Sequence, residues 1–233
     1  MTDSAPSNAD ADASVPPEPP SAALPVLGDA VEAIEAHLPH PVDAINEAGP
    51  HSLAPPHERS AVDRFDHAVD QAFDRLRGNP VADRFFYAAT ELGDFGLIWV
   101  LLGAAQALRS DRDIAVAARL TATLGVESVL VNGVIKSFFK RERPVSQDPR
   151  PHKMRIPLTT SFPSGHSSTA VVASILLSEA NPSLAPVYWT VAAVVASSRV
   201  YVKIHHASDV VGGVATGAVI GLTARALWRR VLR

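Results

Sequence analysis

Apolar positions fall into two regimes along this chain. Over residues 58–77 they recur at helical spacing (Val62, Phe65, Val69, Phe73, Leu76), with Asp63, Arg64, Asp66, Asp70, Asp74 and Arg75 between them. That pattern predicts an amphipathic helix, ended by Gly78-Asn79-Pro80. It suits either a membrane surface or the flank of the chain's own domain. A second short amphipathic helix is predicted over residues 81–92. From Leu92 the pattern becomes continuous. Residues 95–108 carry no charge, and with Leu92–Asp94 they approach the roughly 20 residues that span a bilayer. Further apolar runs cover 114–135 (broken by Arg119 and Glu127), 165–180, 186–202 and 210–228, with short polar breaks. Tyr188 and Trp189 open the fourth run as interfacial residues do. Gly213, Gly217 and Gly221 in the last run are spaced for close helix packing in lipid. The expected fold is all-α: an integral-membrane helical bundle of four to five spans, preceded by amphipathic helices.

Composition adds a boundary. Residues 1–56 hold nine of the 24 acidic residues, eleven of the 19 prolines and none of the 21 Lys and Arg. The chain's net charge of −3 therefore conceals a part from His57 onward of about +6. Such an acidic, proline-rich stretch buries too little apolar surface to offset chain entropy. It is predicted to be a disordered tail before a membrane-embedded domain at 57–233. One weak helical patch, Val31-Ile34-Leu38 after Asp29, is possible within it. The tail lacks the basic start and apolar core of a signal peptide. With no cysteine, disulfides, thiolate metal sites and cysteine catalysis are excluded.

Three polar clusters stand at the ends of apolar runs. The first is Lys136-Ser-Phe-Phe-Lys140-Arg-Glu-Arg143-Pro144, the second Pro163-Ser164-Gly165-His166, the third Ser198-Arg199 through His205 to Asp209. If consecutive runs cross in opposite directions, all three emerge on one side of the membrane. On a helix ended by Pro144, Lys136, Lys140 and Arg143 would share one face and bind a phosphate group. They equally match the basic ends of membrane helices. Ser164-Gly165 would open a helix whose free amides hold an anion, with His166 beside it; the plainer reading is a serine cap and a surface histidine. Asp209, four residues after His205, would fix the imidazole tautomer and free its other nitrogen as a nucleophile. It also suits a helix cap.

Taken together, Lys136 with Arg143-Pro144, Pro163-Ser164-Gly165-His166, and Ser198-Arg199 with His205 and Asp209 resemble the three-part signature of the type 2 phosphatidic acid phosphatase superfamily, over residues 60–230. The wording around His205 is similar to actinobacterial membrane members, including the polyprenyl-phosphoribose phosphatases of cell-wall synthesis. The resemblance implies a metal-independent, cofactor-free lipid phosphate phosphatase. His205 would be the nucleophile and form a phosphohistidine, with Asp209 orienting it and His166 as the acid, then base. Lys136, Arg143, Arg199, Ser164 and the Gly165 amide would hold the phosphate. Phosphatidic acid, phosphatidylglycerol phosphate, polyprenyl pyrophosphate and polyprenyl-phosphoribose phosphate all fit. The implied partners are the lipid substrate and membrane lipids, with no nucleic acid; the oligomeric state is not legible. Alternatives are a catalytically inactive lipid-phosphate binding or transport protein, and a vanadate-dependent haloperoxidase. Arg109, Arg112, Arg229, Arg230 and Arg233 lie on the face opposite the clusters. The positive-inside rule then makes this a multi-pass cell-membrane protein with an extracytoplasmic site.

Overall fold

The computed structural model describes residues 60–146, 150–152 and 154–231. The expected disordered tail and its Val31–Leu38 patch lie outside the described residues, as does Arg233. Among those described there are helices and connecting segments, and no strand.

Helix α1, Ala61–Asp74, begins with a reciprocal cap: Ser60 Oγ accepts from Asp63 N at 3.1 Å, and Asp63 Oδ2 accepts from Ser60 N at 3.2 Å. It packs on its own domain. Phe73 makes edge contacts with Phe86 and Tyr201, while Val62, Phe65 and Leu76 remain about half exposed. Beyond it, Arg77 donates to the carbonyls of Tyr201 and Val200, both at 2.8 Å. Those carbonyls belong to a helix end, where Val200 O also accepts from Lys203 N at 3.0 Å.

Asn79 and Pro80 then start α2, Pro80–Gly93, with Asn79 Oδ1 accepting from Val81 N at 2.9 Å. The sequence predicts a short amphipathic helix here, separate from the first apolar run. Instead α2 and α3, Leu97–Ala107, form one 28-residue stretch, Pro80–Ala107. They are joined by a tight turn at Asp94–Gly96, where Phe95 and Gly96 have φ of 54° and 70°. Helix α4, Asp111–Ser128, is capped by Ser110 and continues through a widened turn, Val129–Val134, and a tight one, Ile135–Phe138. Helices α5 (Gly165–Ala180), α6 (Ala185–Tyr201) and α7 (Ala207–Val231) complete the bundle.

Three stretches are long and apolar enough to cross a membrane: Pro80–Ala107, Asp111–Phe138 and Ala207–Val231. The sequence pattern predicts four to five. Helices α5 and α6, with 16 and 17 residues, rise about 25 Å and form the packed centre. Ala170, Val172, Ala173 and Leu177 of α5 meet Tyr188 and Ala192 of α6, and Trp99, Leu120 and Leu124 close the cluster.

Helix α7 lies against α5 through its glycines. A Cβ on Gly213 would stand 2.3 Å from Ser164 O, one on Gly217 2.4 Å from Ser168 O, and one on Gly221 3.2 Å from Val172 Cα. The matched four-residue steps, rising together, mean that α5 and α7 run parallel with their backbones nearly touching.

Candidate active site

The three clusters meet at one end of the bundle, where α4 and α6 finish and α5 and α7 begin. A backbone bond ties the second cluster to the third: Ser164 N donates to Asp209 O at 3.0 Å. Ser164 is fully buried, and its Oγ accepts from Ser167 Oγ at 3.0 Å and Ser167 N at 3.4 Å, capping α5. Gly165 is the first residue of α5, with Asn132 against it; a Cβ there would lie 3.2 Å from Asn132 Oδ1.

The first cluster is assembled differently from the pattern. The helix ends at Phe138 rather than at Pro144, and residues 139–146 run without regular structure. Lys136, Lys140 and Arg143 therefore do not share a helix face, and Lys140 is exposed. Lys136 is buried, with Nζ donating to Thr159 Oγ1 at 3.2 Å. The loop returns Arg143 to the same place: it donates to Thr159 O through Nη2 at 2.9 Å and to Ile204 O through Nη1 at 2.9 Å. Arg143 Nη1 also lies 3.3 Å from His205 Nε2. Burial lowers the Arg143 pKa from its ordinary value, partly opposed by Asp209.

In the third cluster Arg199 is fully buried, with Nη1 donating to Thr90 Oγ1 at 2.6 Å. Its Nε and Nη2 are buried without a hydrogen-bond partner. A buried guanidinium in this condition is costly unless an anion completes it. His205 is 2 % exposed and Asp209 fully buried. Burial, reinforced by Arg199 and Arg143 and opposed by Asp209, pushes the His205 imidazole down to about 3. It is thus neutral at ordinary pH, with a lone pair available.

Asp209 Oδ2 stands 3.6 Å from His205 Nδ1, an electrostatic contact longer than a hydrogen bond. Its oxygens are otherwise engaged. Oδ1 accepts from Arg141 Nη1 at 2.6 Å, and Oδ2 from His206 N at 2.8 Å and from Ser161 Oγ. Asp209 is the third residue of α7 and not the cap residue expected; from there it reaches back to His206 N, so binding the helix start and proximity to His205 coexist. His205 thus presents Nδ1 to the carboxylate and Nε2 to the cations.

Several residues here are missing from the sequence pattern. Arg141 bridges Asp209 to Asp66 of α1, whose Oδ2 accepts from Arg141 Nη2 at 2.6 Å. Asp66 also accepts from Ser208 N and Ser208 Oγ, both at 2.7 Å, at the start of α7. Asp94 meets His166, with Oδ1 2.8 Å from Nε2. Thr90, Thr159 and Ser161 hold Arg199, Lys136 and Asp209. Their partners are 23 to 109 residues away in sequence, so no local spacing announces them. Arg141, two residues before Arg143, and Asp66, a carboxylate in an amphipathic helix, were legible only as surface charges. Among the described residues no cluster of acidic and histidine side chains is arranged to hold a metal ion.

Comparison with known proteins identifies the family and the fold. The sequence profile of the PAP2 superfamily matches residues 116–232. Among solved structures, the chain is similar to a transmembrane PAP2-type phosphatidylglycerolphosphate phosphatase from Bacillus subtilis. The identity is 26%, the TM-score 0.57, and the match covers 75% of this chain and 89% of that one. Aquifex aeolicus LpxE shares the fold at 21% identity and TM-score 0.56, over 74% of this chain and 99% of that one. No curated protein sequence matched.

Proposed function

Since the chain belongs to the PAP2 superfamily and is a phosphatase with a membrane-embedded helical fold, we propose that it hydrolyses a lipid phosphate through a phosphohistidine on His205. The observation that carries this reading is the convergence of Lys136, Arg143 and the half-partnered Arg199 on a neutral, buried His205. Phosphoryl transfer needs little covalent help beyond the nucleophile; positioning and charge neutralisation do most of it. Three fixed cations supply that neutralisation from the protein's own side chains.

The steps follow from which atom faces what. His205 Nε2 attacks phosphorus, an N–P bond forms, and the P–O bond to the lipid breaks. His166 donates a proton to the departing oxygen, so a neutral lipid alcohol leaves. Asp209, beside Nδ1, stabilises the positive charge that the ring acquires on phosphorylation. Water then attacks phosphorus, His166 takes its proton, and the N–P bond breaks to release phosphate and neutral His205. Arg199 Nε and Nη2 gain the acceptors they lack when phosphate oxygens occupy the site. The Gly165 amide at the start of α5 adds a donor of the helix-terminus kind, and Ser164 adds its hydroxyl.

The substrate is an amphiphile whose phosphate reaches the membrane face. The Bacillus subtilis relative is named for phosphatidylglycerolphosphate, which joins phosphatidic acid and the polyprenyl phosphates as a candidate. Arg109, Arg112, Arg229 and Arg230 stand at the opposite end of the bundle, which favours an extracytoplasmic site. The test is phosphate release by detergent-purified protein, with a chelator present, across a panel of these lipids beside His205→Ala. Release from one class that the variant loses supports the reading and selects the substrate. Release that the variant retains refutes His205 as the nucleophile. No release from any lipid favours a binding or transport protein.

A further inference from the structure

The His166 ring sits in a seat of its own. A Cβ added to Gly93 would come within 2.8 Å of His166 Cδ2 and 2.9 Å of Val195 Cγ1. Only glycine leaves room for the imidazole edge there. The next residue, Asp94, places Oδ1 2.8 Å from Nε2 of the same ring. The backbone then turns sharply, with Phe95 at φ 54° and Gly96 at φ 70°. A non-glycine residue in the left-handed region costs on the order of 1 kcal/mol or more, and here that conformation lies between Asp94 and the following helix. Phe95 itself is 83% exposed, with the Arg155 guanidinium 4.6 Å from its ring centroid. The side chain of Phe95 therefore packs in no core that would explain the turn. The turn ends α2 at Asp94, and the carboxylate faces the histidine.

The Cδ2–Nε2 edge of the imidazole thus faces Gly93 and Asp94, and the opposite edge, carrying Nδ1, faces away from them. We propose that Asp94 is the positioning residue of the general acid: it accepts the Nε2 proton of His166, fixes the ring and tautomer, and supports its protonated form so that Nδ1 delivers the proton to the leaving oxygen. This rests on the phosphatase reading above. Protons balance across both steps. The Nδ1 proton passes to the lipid oxygen as the P–O bond breaks, leaving a neutral ring that keeps its Nε2 proton on Asp94. Nδ1 then accepts a proton from water as the new O–P bond forms and the His205 N–P bond breaks. The site thereby holds two aspartate–histidine pairs, one serving the nucleophile and one the leaving group.

A leaving-group comparison separates this role from a structural one. Wild type, Asp94→Asn and Asp94→Glu are assayed for kcat/KM on dioctanoyl phosphatidic acid, whose alcohol must be protonated to leave, and on p-nitrophenyl phosphate, whose phenolate leaves without a proton. Because kcat/KM covers only the steps through departure of the leaving group, the later attack of water does not enter. Asp94→Asn is expected to lose about 10²-fold or more on phosphatidic acid, in line with a positioned general acid, and less than tenfold on p-nitrophenyl phosphate. Asp94→Glu is expected to recover part of the loss, and His166→Ala to show the same split. Equal losses on both substrates, or no loss on phosphatidic acid, would overturn the assignment. If Asp94→Asn does not fold, Gly93→Ala displaces the same ring and is expected to give the same split; an even loss there also overturns it. Wild-type protein inactive on both substrates would instead bring down the phosphatase reading, and this inference with it.

Discussion

Gly213→Ala is the most exacting test of how the site is assembled, because the structure sets the size of the perturbation. The added Cβ would lie 2.3 Å from Ser164 O, 3.0 Å from Ser167 Cβ and 3.2 Å from Ser164 C. Comfortable contact for such atoms is about 3.5 Å, so α7 must move about 1 Å away from the start of α5. The obstacle is backbone: Ser164 O already accepts from Ser168 N at 3.1 Å as the first bond of α5, and no side-chain rotation relieves it. Overpacking of this kind costs about 1–3 kcal/mol. The Ser164 N to Asp209 O bond, which the movement stretches, contributes about 1 kcal/mol more. That bond joins the His166 segment to the His205–Asp209 segment, so its loss misplaces His166, the proposed acid, relative to His205, the proposed nucleophile. A misplacement of about 1 Å can cost about 10²-fold in rate. The expected result is a lower midpoint of thermal unfolding in detergent and a kcat reduced by about two orders of magnitude. Gly217→Ala, whose Cβ would meet Ser168 O at 2.4 Å, should destabilise comparably but spare more of the turnover, since it acts a turn farther from the site. Gly125→Ala is the control, with nothing within 4 Å of its Cβ. Wild-type stability and turnover in Gly213→Ala would refute the close α5–α7 packing.

Other outcomes follow from single contacts. Arg199→Met removes a fully buried cation with two unpartnered nitrogens; it should leave the unfolding midpoint unchanged or raised while abolishing phosphate release. A marked fall in the midpoint would instead make Arg199 structural. Arg141→Met leaves the buried Asp209 and Asp66 carboxylates without their shared partner. A loss near the lower end of about 3–5 kcal/mol is expected, since the arginine is partly exposed, and a double-mutant cycle with Asp66→Asn should show coupling. For His205 the folded value of about 3 lies below the unfolded value of about 6.5. The unfolded chain therefore binds more protons between those limits, and stability falls as pH drops from about 6.5 toward 3. In His205→Gln the slope of stability against pH over that window should be shallower, as urea unfolding at several pH values would record. Identical slopes would show that His205 is not held neutral.

What the sequence determined by itself was chemical inventory and direction. Lys136, Arg143, Ser164, Gly165, His166, Arg199, His205 and Asp209 stood at the ends of apolar runs, and the alternation of those runs was enough to bring them to one end of a bundle. The glycines at 213, 217 and 221 announced a close helix contact, because their four-residue step reports a helix face directly. Tertiary structure decided what local spacing does not encode. The helix bearing Lys136 stops at Phe138, and Arg143 returns through an extended loop, so a periodicity that suggested one helix face was accidental. The bundle centre is α5 with the inner face of α6: Ala170, Val172, Ala173 and Leu177 meet Tyr188 and Ala192, while Val187 and Trp189 of α6 stay about half exposed. The partners of the candidate site residues were also decided by folding: Asp94 for His166, Arg141 (held in turn by Asp66) for Asp209, Thr90 for Arg199. Each pairing joins residues far apart in the chain, and only burial against a common set of cations makes a carboxylate at position 94 or 66 different from the acidic residues that simply face water.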